Sequence, residues 1–87
     1  MIEDTVGCIA YSLAGHDKGH IYLIIKEEKE YVYLSDGKIR TINNPKKKNK
    51  KHIQIIKTVY RKTDTVSVTN EEIKHLIKMY SRTVSQN

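Results

Sequence analysis

Residues 6–27 constrain the fold more than any other stretch, because apolar and polar side chains alternate on both sides of a turn bracketed by glycines. The first arm is Gly7-Cys-Ile-Ala-Tyr-Ser-Leu13, the turn Ala14-Gly-His-Asp-Lys-Gly19, and the second arm His20-Ile-Tyr-Leu-Ile-Ile-Lys26. Strand side chains alternate between faces, so Ile9, Tyr11 and Leu13 share one face of the first arm, as do Ile21, Leu23 and Ile25 of the second. Gly15 and Gly19 accept the positive φ or close backbone approach that a tight turn demands. Two antiparallel strands whose apolar faces meet across a solvent-facing turn are expected.

The rest of the chain closes this unit or charges it. Tyr31–Leu34 predicts a third strand, with Val32 and Leu34 on one face and Tyr31 and Tyr33 on the other. Asp36-Gly37 between apolar runs is a type I′ hairpin signal, so Lys38–Ile42 is expected to return as a fourth strand with Lys38 and Arg40 on its outer face. Asn43-Asn44-Pro45 stops that strand. Lys46–Lys51 is then a charged loop, and His52–Lys57 a fifth strand that closes a small barrel over residues 6–57. Residues 58–68 read as an irregular connection. Thr69-Asn-Glu-Glu72 is a capping box that opens a helix over 69–82. Its stripe of Ile73, Leu76, Ile77 and Tyr80 packs on the barrel, while Lys74, Lys78 and Arg82 face out. The class is mainly β with a C-terminal helix, in one domain.

Composition narrows what such a domain does. A chain of 87 residues without Phe or Trp buries only roughly two-thirds of its unfolded surface, and its core is built from Ile, Leu, Val and some tyrosines. The single cysteine, Cys8, excludes an internal disulfide framework. No apolar run approaches the roughly 20 residues of a membrane span or follows a basic leader, so a cytoplasmic location is expected. Charge is distributed unevenly: Lys38 to Lys62 carries ten basic residues and no acidic ones, and the rest carries six basic and ten acidic. That asymmetry points to a polyanion. The lysine-rich segment lacks the bulky apolar face of an interfacial helix, so nucleic acid fits better than a membrane surface.

The strand–glycine turn–strand unit, centred on Gly19, resembles the KOW motif of ribosomal and transcription-elongation proteins. Asp36-Gly-Lys-Ile-Arg40, Asn44-Pro-Lys-Lys-Lys48 and Lys51-His-Ile53 extend the likeness. They resemble the short stand-alone KOW proteins of low-GC Gram-positive bacteria, which are similar to archaeal and eukaryotic large-subunit ribosomal proteins. The resemblance implies a small SH3-like five-stranded barrel, binding to structured RNA such as ribosomal RNA, and RNA contacts at the tip of the first turn, where His16, Asp17 and Lys18 lie; read without it, these residues are equally a polar surface turn. It also implies a rival function, since KOW domains of elongation factors bind proteins. The acidic turn Glu27–Glu30 is the face such a partner would meet.

Lys46, Lys47, Lys48, Lys50 and Lys51, with Lys38, Arg40 and His52, form the main candidate site. A lysine cluster also serves simply to keep a thin-cored domain soluble. Pinned between Pro45 and the Ile53 strand, however, it loses less entropy on meeting phosphates than a free tail does. Lysine grips phosphate without base readout, and Arg40 can fork onto phosphate or stack on a base. Tyr31 and Tyr33 stack unpaired bases if their face is wet and otherwise pack. His16 and His20 have a zinc-like spacing, but no second compact ligand pair accompanies them, so neither metal nor cofactor is expected. The sequence lacks a phosphate loop, a nucleophile elbow and a distinctive carboxylate pair, and an enzyme is not expected.

Overall fold

The computed structural model of the chain describes residues 5–58 and 68–85. Its elements are β1 (Cys8–Ser12), β2 (Ile21–Glu27), β3 (Tyr31–Ser35), β4 (Lys46–Asn49), a 3-10 turn at Lys50–His52, β5 (Ile53–Thr58) and α1 (Asn70–Ser85). The strands form one antiparallel sheet in the order β4-β3-β2-β1-β5, curled into a half-barrel with β4 and β5 at its two edges. Register shifts between Ile9 and Ala10 and between Ile24 and Lys26 mark bulges, which bend strands and increase their twist.

Both faces of the sheet are apolar, and each has its own core. The register pairs Ile9 with Leu23 and Tyr11 with Ile21, so the face expected from the alternation forms. There Ile9 and Leu23 pack against Ile73 of α1, with Ile21, Ile25, Ile42, Ile56, Ile77 and Tyr80 around them. Leu13 lies beyond the end of β1 and is exposed. On the concave face, Cys8 and Ala10 meet Tyr22, Ile24, Val32 and Leu34, closed by Ile53. The small residues of β1 leave room for this second core, so the half-barrel curls tightly around it.

The helix begins as its capping box dictates. The Thr69 amide donates to Glu72 Oε1 at 2.9 Å, and the Glu72 amide donates to Thr69 Oγ1 at 3.1 Å, satisfying two donors that a helix N-terminus leaves open. α1 runs to Ser85, three residues past the expected end. Its buried line is Ile73, Ile77 and Tyr80, with Ile73 fully enclosed and Leu76 only half-buried at the margin. Of the connection expected over 58–68, Thr58 belongs to β5, and residues 59–67, like the side chain of Arg82, lie outside the described residues.

The fourth strand is not where the Asp-Gly signal places it. Residues 38–42 form no strand, and Lys46–Asn49, expected as a loop, is the strand that pairs with β3. A type I′ turn needs positive φ at both central residues, yet among the described residues only glycines have positive φ. Asp36 acts instead through its side chain, where Oδ1 accepts from the amides of Lys38 and Arg40, both at 2.9 Å. The Arg40 carbonyl accepts from the amides of Asp36 and Gly37 and from Ser35 Oγ. These bonds consume the groups a returning strand needs for its ladder. Gly37, at φ 76°, lies so close to α1 that a Cβ there would stand 2.3 Å from the Asn70 carbonyl oxygen. The Asn70 side chain in turn accepts from the Ile42 amide at 2.8 Å. Loop 36–42 is thus docked on the start of the helix, and the chain reaches β3 again only at Lys46. An edge strand tolerates that lysine-rich sequence, because charge on an edge also deters pairing with other chains.

Candidate nucleic-acid interface

Putting the lysine run on a strand divides it by parity. Lys46 pairs with Leu34 and Lys48 with Val32, both concave-face residues, whereas Lys47 pairs with Tyr33 on the other face. The Lys48 ammonium donates to Asp17 Oδ1 at 2.7 Å and to the Ala14 carbonyl at 2.9 Å. The side chains of Lys48 and Asp17 are only 9% and 12% exposed. Ser12 Oγ and the Tyr22 hydroxyl donate to the same carboxylate, each at 2.9 Å, and Lys46 lies 3.8 Å from it. Burial alone raises the Asp17 pKa, but the hydrogen bonds from Lys48, Tyr22 and Ser12 outweigh it and hold the group well below the ordinary carboxylate range. The Tyr22 phenol is pushed above its ordinary range by burial and by its bond to Asp17.

Lys50 is engaged in the same manner. Its ammonium pairs with Glu27, which also accepts from the Thr5 amide at 3.1 Å and the Thr5 hydroxyl at 2.7 Å. Burial opposes ionisation of Glu27, yet the bonds from Lys50 and Thr5 prevail and its pKa is lowered. The acidic turn is therefore largely occupied: Glu27 is bound to Lys50 and Thr5, and Glu28 accepts from the Tyr33 hydroxyl at 3.2 Å. Of its three carboxylate residues only Glu30 is exposed.

The sequence-derived candidates fall into two groups. Lys46, Lys48 and Lys50 face carboxylates of the fold. Lys47, Lys51, Lys18, Lys38, His16 and His52 are exposed and Arg40 is half-buried, and none of these side chains has a carboxylate partner among the described residues. The first turn lies beside the basic segment: Lys48 bonds to Ala14 and Asp17, and the Leu13 amide donates to the His52 carbonyl at 2.8 Å. Gly19 and Lys38 line one cleft of about 770 Å³, whose far wall is α1 with Lys74 and Lys78. The first turn thus borders both the basic strand, through Lys48, and the cleft that holds Lys38, where Asp36 and Glu71 also lie. The turn needs its glycines, with φ at 88° for Gly15 and 89° for Gly19.

One cation was not visible in the sequence. Lys26 lies 5.3 Å from the Tyr33 ring centroid and Lys47 lies 4.5 Å from that of Tyr31, distances at which a cation is drawn to the ring face. The bulge before Lys26 brings it opposite Tyr33 on this wet face, and bulges have no sequence signature here. Compared with known proteins, the chain matches no family model and matches no curated protein significantly.

Proposed function

We propose that this protein is a non-enzymatic, cytoplasmic module that binds structured RNA, through the exposed cations Lys47, Lys51, Lys38 and Lys18 and the half-buried Arg40. The observation that carries the reading is the form in which the acid-free segment is displayed: a hydrogen-bonded edge strand and one 3-10 turn, whose outward lysines meet no carboxylate among the described residues. Cations fixed on a strand lose little entropy on meeting phosphates. A-form RNA offers phosphates and 2′-hydroxyls rather than a readable major groove, which suits such a surface. A 3-10 turn between β4 and β5 and the β4-β3-β2-β1-β5 order support an SH3-like barrel of the KOW kind. That resemblance makes ribosomal RNA the expected target. A protein partner docking on Glu27–Glu30 is the less supported reading, because Glu27 and Glu28 are already bonded within the fold.

The test is a titration against an RNA hairpin at three salt concentrations. Binding that neutralises phosphates releases counterions, so log affinity falls linearly with log salt, by nearly one per phosphate contact. Replacing Arg40, Lys47 and Lys51 together by Ala is expected to flatten that slope by roughly two to three and to weaken different RNA sequences by similar factors. Unchanged affinity and slope in the triple variant would overturn the assignment of these residues.

A further inference from the structure

Tyr31 is 38% exposed although most of the large side chains around it are packed. It pairs with Asn49 across the β3–β4 ladder and follows Glu30 in the chain. Asn49 and Glu30 line a cleft of about 400 Å³ together with Lys29, Lys50 and Lys51; Tyr31 does not line it but is the ladder partner of Asn49 and the chain neighbour of Glu30, and so lies beside it. Lys50 is neutralised by Glu27, and Lys29, Lys51 and the Glu30 carboxylate have no ion-pair partner among the described residues. The Asn49 side-chain Oδ1 accepts from the Lys51 amide at 3.0 Å and caps the 3-10 turn.

We propose that this cleft holds one unpaired nucleotide of the bound RNA, its base stacked on Tyr31 and its phosphates met by Lys29 and Lys51. The proposal rests on the RNA-binding reading and narrows it to RNA that presents an unpaired base. The chemistry is mixed in the way a nucleotide is mixed. A bare phosphate would be repelled by Glu30, whereas a base or ribose offers N–H and O–H groups for that carboxylate to accept. An aromatic ring on a wet sheet face is a stacking platform for any base. Lys47 already rests 4.5 Å over this ring, and its flexible stem lets it swing to a phosphate as the base takes its place.

The experiment uses two RNA hairpins that differ only in a single bulged nucleotide, 2-aminopurine, whose emission is quenched on stacking. The protein has no tryptophan, so emission from the probe is read without interference. The parent is expected to quench the probe and to bind the bulged hairpin roughly tenfold tighter than the paired one, the order that one stacked base supplies. Tyr31→Ala is expected to abolish both the quench and the preference while keeping the parent's affinity for the paired hairpin, which also shows that the variant is folded. Tyr31→Phe is expected to behave as the parent, because stacking needs the ring and not the hydroxyl. Equal binding of both hairpins by the parent, or an unaltered preference in Tyr31→Ala, overturns this inference and leaves the RNA-binding reading standing. Failure of the parent to bind either hairpin overturns both.

Discussion

Lys48 and Asp17 meet at 2.7 Å although 31 residues separate them. The contact joins β4, one edge of the curled sheet, to the turn between β1 and β2, so the pair ties the open side of the half-barrel to its first hairpin. Ser12 and Tyr22 complete the site from the concave face. A lysine run that reads as uniform in sequence therefore holds two kinds of lysine, one that builds the fold and one that is free to meet a partner.

Stability separates these kinds. Removing one partner of an enclosed ion pair costs about 3 kcal/mol or more where the other charge is left uncompensated; Lys46, 3.8 Å from Asp17, compensates it in part, which brings the loss to about 2 kcal/mol. Lys48→Ala is expected to show a loss of that size in urea denaturation, a large share of the 5–15 kcal/mol typical of a folded domain. Lys47→Ala, one position along, removes an exposed side chain and is expected to stay within about 0.5 kcal/mol of the parent. Equal losses at the two positions would contradict the parity of β4.

The same carboxylate makes stability depend on pH. Asp17 and Glu27 have folded pKa values below their ordinary ones. A group depressed in this way contributes its stability above the unfolded pKa, about 4 for these side chains, and loses it as pH falls through the folded value. Urea midpoints are expected to be flat from about pH 7 to 5 and to drop below that. In Asp17→Asn the plateau is lower and the acid decline shallower, because one of the titrating groups is gone. An acid limb as steep as the parent's would remove Asp17 from the account.

Glycines 19 and 37 are expected to respond differently to the same substitution. Each has positive φ, but a Cβ on Gly19 meets nothing within 4 Å, whereas on Gly37 it meets the Asn70 carbonyl. Gly19→Ala carries only the backbone strain of an L-residue in that region, about 1 kcal/mol. Gly37→Ala adds a clash that forces loop 36–42 away from α1, and its loss is expected to exceed that of Gly19→Ala by about 2 kcal/mol or more. Thermal melts of the two variants give the comparison directly.

What the sequence disclosed follows from how local each determinant is. The β1–β2 hairpin was legible because period-two alternation and bracketing glycines act within one stretch, and the capping box because Thr69 and Glu72 are three residues apart. The fourth strand was not legible. Its position depends on Asp36 capping its own loop and on Asn70 holding Ile42 from 28 residues away, and Asp-Gly signals only the local preference that these contacts override. The division of the lysines was hidden for the same reason, since it turns on whether Lys46–Asn49 is extended and on which carboxylates fold against it. Tyr31 and Tyr33 stood open between stacking and packing, and the structure divides them: Tyr33 is half-buried with its hydroxyl on Glu28, and Tyr31 is exposed.

Ile73 anchors the helix on the sheet. From periodicity alone Ile73, Leu76, Ile77 and Tyr80 are equivalent members of one stripe, yet the helix is rotated so that the line from Ile73 to Ile77 and Tyr80 faces Ile9 and Leu23. Ile73 is fully enclosed, and emptying such a site forfeits both transfer energy and the contacts around the cavity, about 3 kcal/mol for Ile73→Ala. Leu76 is half-buried, so its neighbours can relax into solvent. Leu76→Ala is expected to cost about 1 kcal/mol, in line with the smaller apolar area it removes from contact. Thr69→Ala, which opens the capping box without touching the core, is expected to cost about 1 kcal/mol as well. Hydrogen exchange distinguishes these losses by location. In Ile73→Ala, protection falls in the β1 and β2 amides beneath the helix as well as in α1, whereas in Thr69→Ala it falls chiefly in the first turn of α1. A Leu76→Ala loss equal to or greater than that of Ile73→Ala would mean that α1 packs on the sheet through a different face.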